Sequence, residues 1–303
     1  MSDLAQKLSS TVGNVLRGKD EAVELAIITL FAGGHLLIED SPGVGKTLLG
    51  RSLARALDLP FQRVQCTADL LPADIVGGQI YNPRDGELSF RPGPVFTSVL
   101  LADELNRTPP RTQSALLECM SERSITVHRE THQLPDPFFV IATQNPLTST
   151  GTYPLPENQL DRFLLRIRIG YPEPEHEAEI VAQEDGHLAA NEVSPIAGQA
   201  DLLDARSMVD KVRCDPEIAA LIVELANRSR STGHALLGVS TRGAQALHRA
   251  CRARAVVKDR DYVVPEDVRV LINPAWSHRM HVRGESDGEA VLDEILATTA
   301  LPE

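Results

Sequence analysis

The segment Ile38-Glu-Asp-Ser-Pro-Gly-Val-Gly-Lys-Thr47 decides the fold of this 303-residue chain. It follows the apolar run HLLI and precedes the helical pattern TLLGRSLARAL, which predicts a strand, a glycine-rich turn and a helix N-terminus. Backbone N–H groups of such a turn surround a polyphosphate, and Gly43 and Gly45 let the backbone approach it without a Cβ in the way. Lys46 would meet the β- and γ-phosphates, and the Thr47 hydroxyl would bind Mg²⁺. The segment therefore predicts a nucleotide-binding loop; a degenerate, empty loop is the alternative.

The composition is that of a globular protein without a broad nucleic-acid-binding face. The chain is 42% hydrophobic and 24% charged, with a formal net charge of −12, so we expect no nucleic-acid partner. No apolar stretch approaches the roughly 18 residues of a membrane span, and the N-terminus does not resemble a signal peptide. The four cysteines lie far apart, without the spacing of a zinc site or a disulfide framework. These features predict a cytoplasmic protein with reduced thiols and no membrane span.

Hydrophobic periodicity divides the chain into two domains. Residues 1–35 have a helical pattern, and five apolar or β-rich runs then alternate with helical patterns: HLLIE, FQRVQC, SVLLADE, FFVIATQN and LLRIRIG. This alternation predicts a three-layer α/β domain with a mostly parallel sheet over residues 1–172. Beyond the break Tyr171-Pro-Glu-Pro174 we expect a smaller, all-helical domain over residues 173–303, without strands.

Polar residues follow the predicted strands where a sheet of this kind binds its ligands. Asp103 and Glu104 end an apolar strand and point to opposite sides, so Asp103 would serve the Mg²⁺ shell and Glu104 would orient and deprotonate a water. Alternatively, the two acids merely end a buried strand at the surface. Asn145 ends the next apolar run, where its amide could bridge the γ-phosphate and the attacking water, although Asn-Pro is also an ordinary turn. Arg162, in LDRF, would by itself be a surface ion-pair residue.

Long stretches beyond these motifs resemble one protein family. They are the phosphate loop, LLADELNRTPPRTQSALLECMSE, VIATQNPLTSTGTYPLPENQLDRFL and GVSTRGAQALHRA. Together they are similar to the MoxR family of AAA+ ATPases, from about Leu16 to Arg283. Asp40 stands where the general pattern G-x-x-x-x-G-K-[ST] has its first glycine, and an aspartate at this position is familiar in that family.

The resemblance implies a role for each site residue. Lys46 and Thr47 fall in the Walker A motif, Asp103 and Glu104 in the Walker B motif, and Asn145 matches sensor 1. ATP and Mg²⁺ are the implied cofactors.

Two arginines and one glycine acquire roles from the resemblance alone. Arg162 resembles the arginine finger, which reaches the nucleotide of the neighbouring subunit. Arg242, at the start of a helix of the second domain, matches sensor 2 and would contact the γ-phosphate. Gly18 lies where the family's N-terminal segment passes the adenine. The complete set of expected nucleotide-binding residues is Gly18, Ser41, Pro42, Gly43, Val44, Gly45, Lys46, Thr47, Leu48 and Asp103.

Two further segments have hairpin patterns, residues 73–96 and 123–136. In the family such inserts line the ring's pore or upper face, where a client protein would be engaged; two surface hairpins that cap the sheet are the alternative. His128 and His132 are spaced by four but lie on a strand-like stretch, so we do not expect a metal site there.

The resemblance implies an ATP-driven remodelling chaperone that works as a hexameric ring. Its partners would be a protein with a von Willebrand factor A domain and a client complex that it activates, often by promoting cofactor or metal insertion. The helical lid domain would rock against the α/β domain, with only the linker near Tyr171–Pro174 changing. A nucleotide-gated switch, a DNA-directed motor and a phosphotransferase are the alternatives; hydrolysis rate, stimulation by DNA and transfer to an acceptor other than water would separate them.

Overall fold

The computed structural model describes residues 2–83, 87–127, 130–146, 151–182, 190, 192–283 and 287–300. A parallel sheet forms its centre, and its strands are the five runs that the sequence predicts. Numbered along the chain, they are β1 (Leu36–Glu39), β2 (Phe61–Gln65), β5 (Val99–Asp103), β8 (Phe139–Gln144) and β9 (Leu165–Ile167). Their order across the sheet is β2-β5-β8-β1-β9, so β5, β8 and β1 are central and all pairs are parallel.

Successive side chains of these strands enter two different cores. In β1, Leu36 and Ile38 join one buried cluster and Leu37 joins the other. The first cluster packs under α1 (Ser2–Val15), α2 (Asp20–Phe31) and α3 (Lys46–Ala56), and the second under α4 (Pro72–Val76) and α5 (Pro110–Glu122). Helices on both faces of a parallel sheet confirm the predicted three-layer α/β architecture.

Both predicted hairpins are present. The first pairs β3 (Gly77–Asn82) with β4 (Glu87–Pro92), and the second pairs β6 (Ser124–Val127) with β7 (Glu130–Gln133). The rings of Phe90 and His132 stack with centroids 4.0 Å apart, which joins the two hairpins. His128 and the turn at residues 84–86 lie outside the described residues.

The second part of the chain is mainly helical, but it is not free of strands. Its helices are α8 (Gln199–Val209), α9 (Pro216–Ser231), α10 (Thr241–Val257), α11 (Pro265–Trp276) and α12 (Gly288–Ala297). Between them, β10 (Ala235–Leu237) and β11 (His281–Val282) form a small antiparallel pair, so the prediction of no strands was wrong. Strands of three and two residues are too short to show an alternating pattern, and Leu236 and Leu237 are exposed.

Two short helices, α6 (Glu157–Leu160) and α7 (Pro174–Val181), flank β9 along the chain. We propose the domain boundary between residues 172 and 173, in the extended stretch before α7. The contact between the domains is wide: α10 packs on α2, α11 packs on β9, and one buried cluster runs through both domains. A lid that rocked about its linker would have to break these contacts as well. No helix in the described part of the chain is long and apolar enough to cross a membrane.

Candidate nucleotide-binding site

The loop between β1 and α3 has the shape of a phosphate cradle. Gly43 and Gly45 adopt φ angles of 86° and 98°, in the left-handed region that glycine tolerates best. A Cβ on Gly45 would come within 2.6 Å of the Leu16 side chain, so this position is also short of space. Helix α3 begins at Lys46, and its first backbone N–H groups have no partner inside the helix. The loop therefore ends in a helix N-terminus suited to an anion.

Asp40 explains why the loop can lack its usual first glycine. Its carboxylate accepts hydrogen bonds from the backbone N–H groups of Ser41 at 2.8 Å, Ile169 at 2.7 Å and Gly170 at 2.6 Å. Asp40 thus ties the phosphate loop to the segment that follows β9, the edge strand of the sheet.

A cavity of about 510 Å³ opens over this loop. Its walls come from the loop, the start of α3, the ends of three strands and α7. The lining residues are Pro42, Gly43, Gly45, Lys46, Thr47, Leu48, Arg63, Gln65, Asp103, Glu104, Asn145 and Ile180.

Lys46 is held against its own loop. Its ammonium group donates a hydrogen bond to the backbone carbonyl of Asp40 at 2.5 Å. Burial lowers the pKa of Lys46, while the negative charges of Asp40, Asp103 and Glu104 act in the opposite direction. A partly desolvated cation beside the N-terminus of a helix is suited to a phosphate group.

Thr143, which is fully buried at the end of β8, fixes both acids of the predicted pair. Its hydroxyl donates to Asp103 Oδ1 at 2.6 Å and accepts the backbone N–H of Glu104 at 2.8 Å. Glu104 has φ 58° and ψ 49°, a left-handed conformation that costs a non-glycine residue on the order of 1–3 kcal/mol. Strain of this kind persists where the surroundings over-determine a side chain's direction, and here Glu104 lines the cavity.

Two arginines hold these acids. Arg63, from β2, places Nη2 2.6 Å from Asp103 Oδ2, and Arg107 places Nη1 3.0 Å from Glu104 Oε2. Sequence reasoning missed Arg63, Thr143 and the Arg107 contact. The run FQRVQC contains Arg63, but only the pairing of β2 with β5 brings this arginine to Asp103.

The donor set fits a nucleotide with Mg²⁺. A helix N-terminus, a positive-φ glycine loop and Lys46 can bind phosphates, while Thr47 and Asp103 offer oxygen ligands in the same cavity. Magnesium usually takes only one or two protein oxygens together with phosphates and waters. Asn145, 8% exposed, lies beside them at the end of β8.

Among the described residues, the cavity lining leaves out Gly18, Ser41 and Val44, as well as Arg162 and Arg242. Val44 packs into the core, and Ser41 precedes the lining. Gly18, with φ 67°, lies against the ring of His176 in a smaller cavity of about 400 Å³.

Helix α7 is part of both cavities, which the sequence did not reveal. Its His176 and Glu179 line the smaller cavity, and its Ile180 lines the larger one. Arg17 pairs with Glu179 at 2.8 Å, so α7 is fastened to the end of α1 beside Gly18.

Arg162 and Arg242 lie elsewhere. Arg162 turns onto α5, where Nη1 donates to the Leu117 carbonyl at 2.6 Å and to the Ser121 hydroxyl. The side chain of Arg242 is 68% exposed, and its Nε lies 3.9 Å from Asp161 Oδ2. The carboxylate that Arg242 approaches thus belongs to the residue directly before Arg162, whose own side chain lies on α5.

Comparison with known proteins gives the family. Residues 35–165 match the ATPase family associated with various cellular activities (AAA), and residues 227–297 match the AAA lid domain. The chain is 42% identical to the YeaC protein of Bacillus subtilis, over 99% of this chain and 95% of that protein. It is 37% identical to the chaperone MoxR1 of Mycobacterium tuberculosis, over 96% of this chain and 81% of that protein.

A relative and a solved structure agree with this assignment. Protein MoxR of Methylorubrum extorquens is 30% identical over 92% of this chain and 88% of its own length. A crystal structure from Cytophaga hutchinsonii superimposes with a TM-score of 0.90 at 35% identity, covering 100% of this chain and 96% of that one. A three-layer α/β domain with a phosphate loop, followed by a helical lid, is the fold that these relatives lead us to expect. The chain belongs to the MoxR family of AAA+ ATPases.

Proposed function

We propose that this chain is an ATP-hydrolysing chaperone that completes its active sites between subunits of a ring. One observation carries the proposal: the phosphate loop, Asp103, Glu104 and Asn145 converge on one cavity, while Arg162 is turned away from it. The arginine that lines this cavity, Arg63, is paired with Asp103, and neither Arg162 nor Arg242 is in the lining. Such a site, with a base and groups that bind phosphate, fits hydrolysis that an arginine of a neighbour assists.

Within one subunit, the loop and Lys46 would bind the phosphates of ATP, and Thr47 and Asp103 would hold Mg²⁺. The metal would neutralise charge that develops on the phosphate oxygens. Glu104 would deprotonate the attacking water, and Asn145 would orient it. Gly18 would lie along the adenine, in the smaller cavity beside His176.

Between subunits, Arg162 would act as the arginine finger, and Arg242 as a second arginine at the γ-phosphate. In other nucleotidases a finger contributes about 10³–10⁵ in turnover, so a chain without a neighbour would hydrolyse slowly. We propose a hexameric ring as the assembled form.

The chaperone role rests on the relatives, one of which is named a chaperone. We propose that the ring remodels or activates a client complex, for example by assisting cofactor or metal insertion, together with a partner that has a von Willebrand factor A domain. The hairpin β3–β4 offers a surface for a client, since Tyr81 and Leu88 are paired across it and both are exposed.

The test is specific ATPase activity against protein concentration for wild type, Arg162→Ala and a control, Arg269→Ala. Arg269 forms an exposed pair with Glu266 within its own helix. We expect activity per chain to rise with concentration in wild type and in the control, and to stay low in Arg162→Ala. Activity that is independent of concentration and survives Arg162→Ala would show that each chain carries its whole site. Glu104→Gln should keep ATP binding and abolish turnover.

A nucleotide-gated switch is the second candidate, and the Arg63–Asp103 and Arg107–Glu104 pairs favour it. Both acids are engaged by arginines, which would slow hydrolysis until the pairs open. A turnover that stays low at every concentration, together with normal ATP binding, would support the switch.

A further inference from the structure

Asp161 is the point where the lid meets the segment that carries Arg162. It lies one residue before Arg162, directly after α6. Two arginines of the lid approach its carboxylate: Arg279 Nε lies 2.8 Å from Oδ1, and Arg242 Nε lies 3.9 Å from Oδ2. One acid therefore faces the lid at the base of the predicted finger.

Arg279 is built into the backbone around Arg162. Its side chain is 3% exposed, although arginine is rarely buried without partners. Nη2 donates to the carbonyls of Asp161 at 3.2 Å and Phe163 at 2.5 Å, and Nη1 donates to the carbonyl of Leu164 at 3.1 Å. Burial lowers the pKa of Arg279, and the hydrogen bond and charge of Asp161 act in the opposite direction. The guanidinium thus clamps the chain on both sides of Arg162.

The end of α11, which leads to Arg279, also fixes the start of α10, where Arg242 lies. Trp276, three residues before Arg279, donates its indole N–H to the Gly243 carbonyl at 2.8 Å. A Cβ on Gly243 would come within 3.0 Å of Arg279 Cδ, so the two segments are in close contact. Arg242 and Arg162 therefore start from backbones that are held by one buried cluster.

We propose that Asp161 and Arg279 are positioning residues that hold Arg162 and Arg242 as a pair, which one subunit presents to the nucleotide of the next. This inference rests on the proposed function, in which Arg242 acts between subunits. It extends that function in one way: because one cluster holds both arginines, the lid moves together with the finger segment. Asp161 would anchor Arg279 and, through the same carboxylate, keep the exposed Arg242 near the finger segment until a neighbour's nucleotide binds it.

The experiment uses mixtures of inactive subunits. Glu104→Gln lacks the base but keeps both arginines, so it can donate to a neighbour. Arg162→Ala keeps its own base and loop but cannot donate. Mixed before ATP is added, these two should regain activity that neither has alone. Failure of this reference pair would overturn the shared-site function itself, independently of Asp161 and Arg279.

Each new variant is then mixed with both reference subunits. Asp161→Asn, Arg279→Lys and Arg242→Ala should each have turnover at least tenfold below wild type when alone. Each should regain activity with Glu104→Gln and gain none with Arg162→Ala, because all three would be defective donors with intact sites. Arg269→Ala, the exposed control on the helix that leads to Arg279, should be fully active alone.

The opposite patterns would overturn the inference. An Arg242→Ala that is rescued by Arg162→Ala would place Arg242 in its own subunit's site. Asp161→Asn and Arg279→Lys that are fully active alone, or inactive with both partners while folded and binding ATP normally, would show that the cluster only docks the lid. Thermal unfolding of each variant shows which of them are folded. Arg279→Lys keeps the charge but cannot reach all the carbonyls. Asp161→Asn removes the charge of the carboxylate but keeps the Arg279 side chain and the carbonyls that it binds, so one mild variant tests each residue of the pair.

Discussion

Replacing Asp40 by glycine would restore the general phosphate-loop pattern, and yet we expect it to damage the protein. In wild type, the Asp40 carboxylate accepts three backbone N–H bonds at 2.6–2.8 Å, two of them from Ile169 and Gly170 across the edge of the sheet. Glycine has no acceptor, so those two N–H groups would lose their partner.

The magnitude follows from the kind of bond and its exposure. A hydrogen bond to a charged group contributes about 1.5–3 kcal/mol, but three bonds to one carboxylate are not additive. Because Asp40 is only half-buried, water can replace part of what is lost. We therefore expect Asp40→Gly to lower the free energy of unfolding by about 2–3 kcal/mol, and Asp40→Asn, which keeps one acceptor oxygen, by about half as much.

The assay is urea unfolding of the nucleotide-free protein, followed by ATP titration of each variant. Asp3→Asn, which removes a carboxylate from an exposed pair with Lys7, is the control and should barely change the stability. We expect ATP to bind more weakly to Asp40→Gly, since the loop loses its anchor. If Asp40→Gly has the stability and ATP affinity of wild type, Asp40 does not anchor the phosphate loop, and aspartate is merely tolerated at this position of the pattern.

Three other predictions concern the loop, the lid and the core. Lys46→Ala should abolish the stabilisation by ATP in thermal unfolding, which is about 2.7 kcal/mol for a ligand at 100 times its dissociation constant. Asp267→Asn should cost about 3–5 kcal/mol in urea unfolding, because its fully buried carboxylate pairs with two arginines, whereas the neighbouring exposed Glu266→Gln should change little. Burial lowers the pKa of His35 to about 4, and its Nδ1 accepts a hydrogen bond from the Val140 N–H, so His35 is neutral in the folded protein. Between pH 4 and 6.5 the unfolded chain therefore binds more protons than the folded protein. The contribution of His35 to the free energy of unfolding is fully present above pH 6.5 and should fall by about 1.4 kcal/mol per pH unit from there down to about pH 4, and by less in His35→Gln.

The α/β domain could be predicted from the sequence because its signals are local. Each of the five strands lies within a short apolar or β-rich run, and the phosphate loop and the acid pair lie within short motifs. The parallel orientation of the strands then follows from their alternation with helices, and the strand ends bring Asp103 and Asn145 to one cavity.

The partners of these residues could not be predicted, because they depend on contacts between distant segments. Arg63 becomes a partner of Asp103 only when β2 pairs with β5. Arg279 stands among polar residues in SHRMHVR and has the pattern of a surface residue, yet it is nearly fully buried. In the sequence Asp40 was only a departure from a pattern, because two of its three backbone partners lie 129 and 130 positions away.

Asp40 and Arg279 hold the two ends of the same short strand. Arg279 clamps residues 161–164 just before β9, and Asp40 binds the N–H groups of residues 169 and 170 just after it. Within β9, Arg166 pairs with Glu39 of β1 at 2.9 Å and with Glu289 of the lid at 2.7 Å. The phosphate loop of one subunit is therefore joined, across three residues of β9, to the arginines that we propose it presents to the next.

If this connection transmits the state of the loop, Asp40→Gly should impair donation as well as ATP binding. Donation is measured with a double variant, Asp40→Gly with Glu104→Gln, whose own site does not hydrolyse ATP. The activity of its mixture with Arg162→Ala is compared with that of Glu104→Gln mixed with Arg162→Ala. Less activity in the mixture that contains the double variant, at saturating ATP, would show that β9 couples the two sites. Equal activity would confine Asp40 to its own nucleotide and leave the arginine pair dependent on the lid alone.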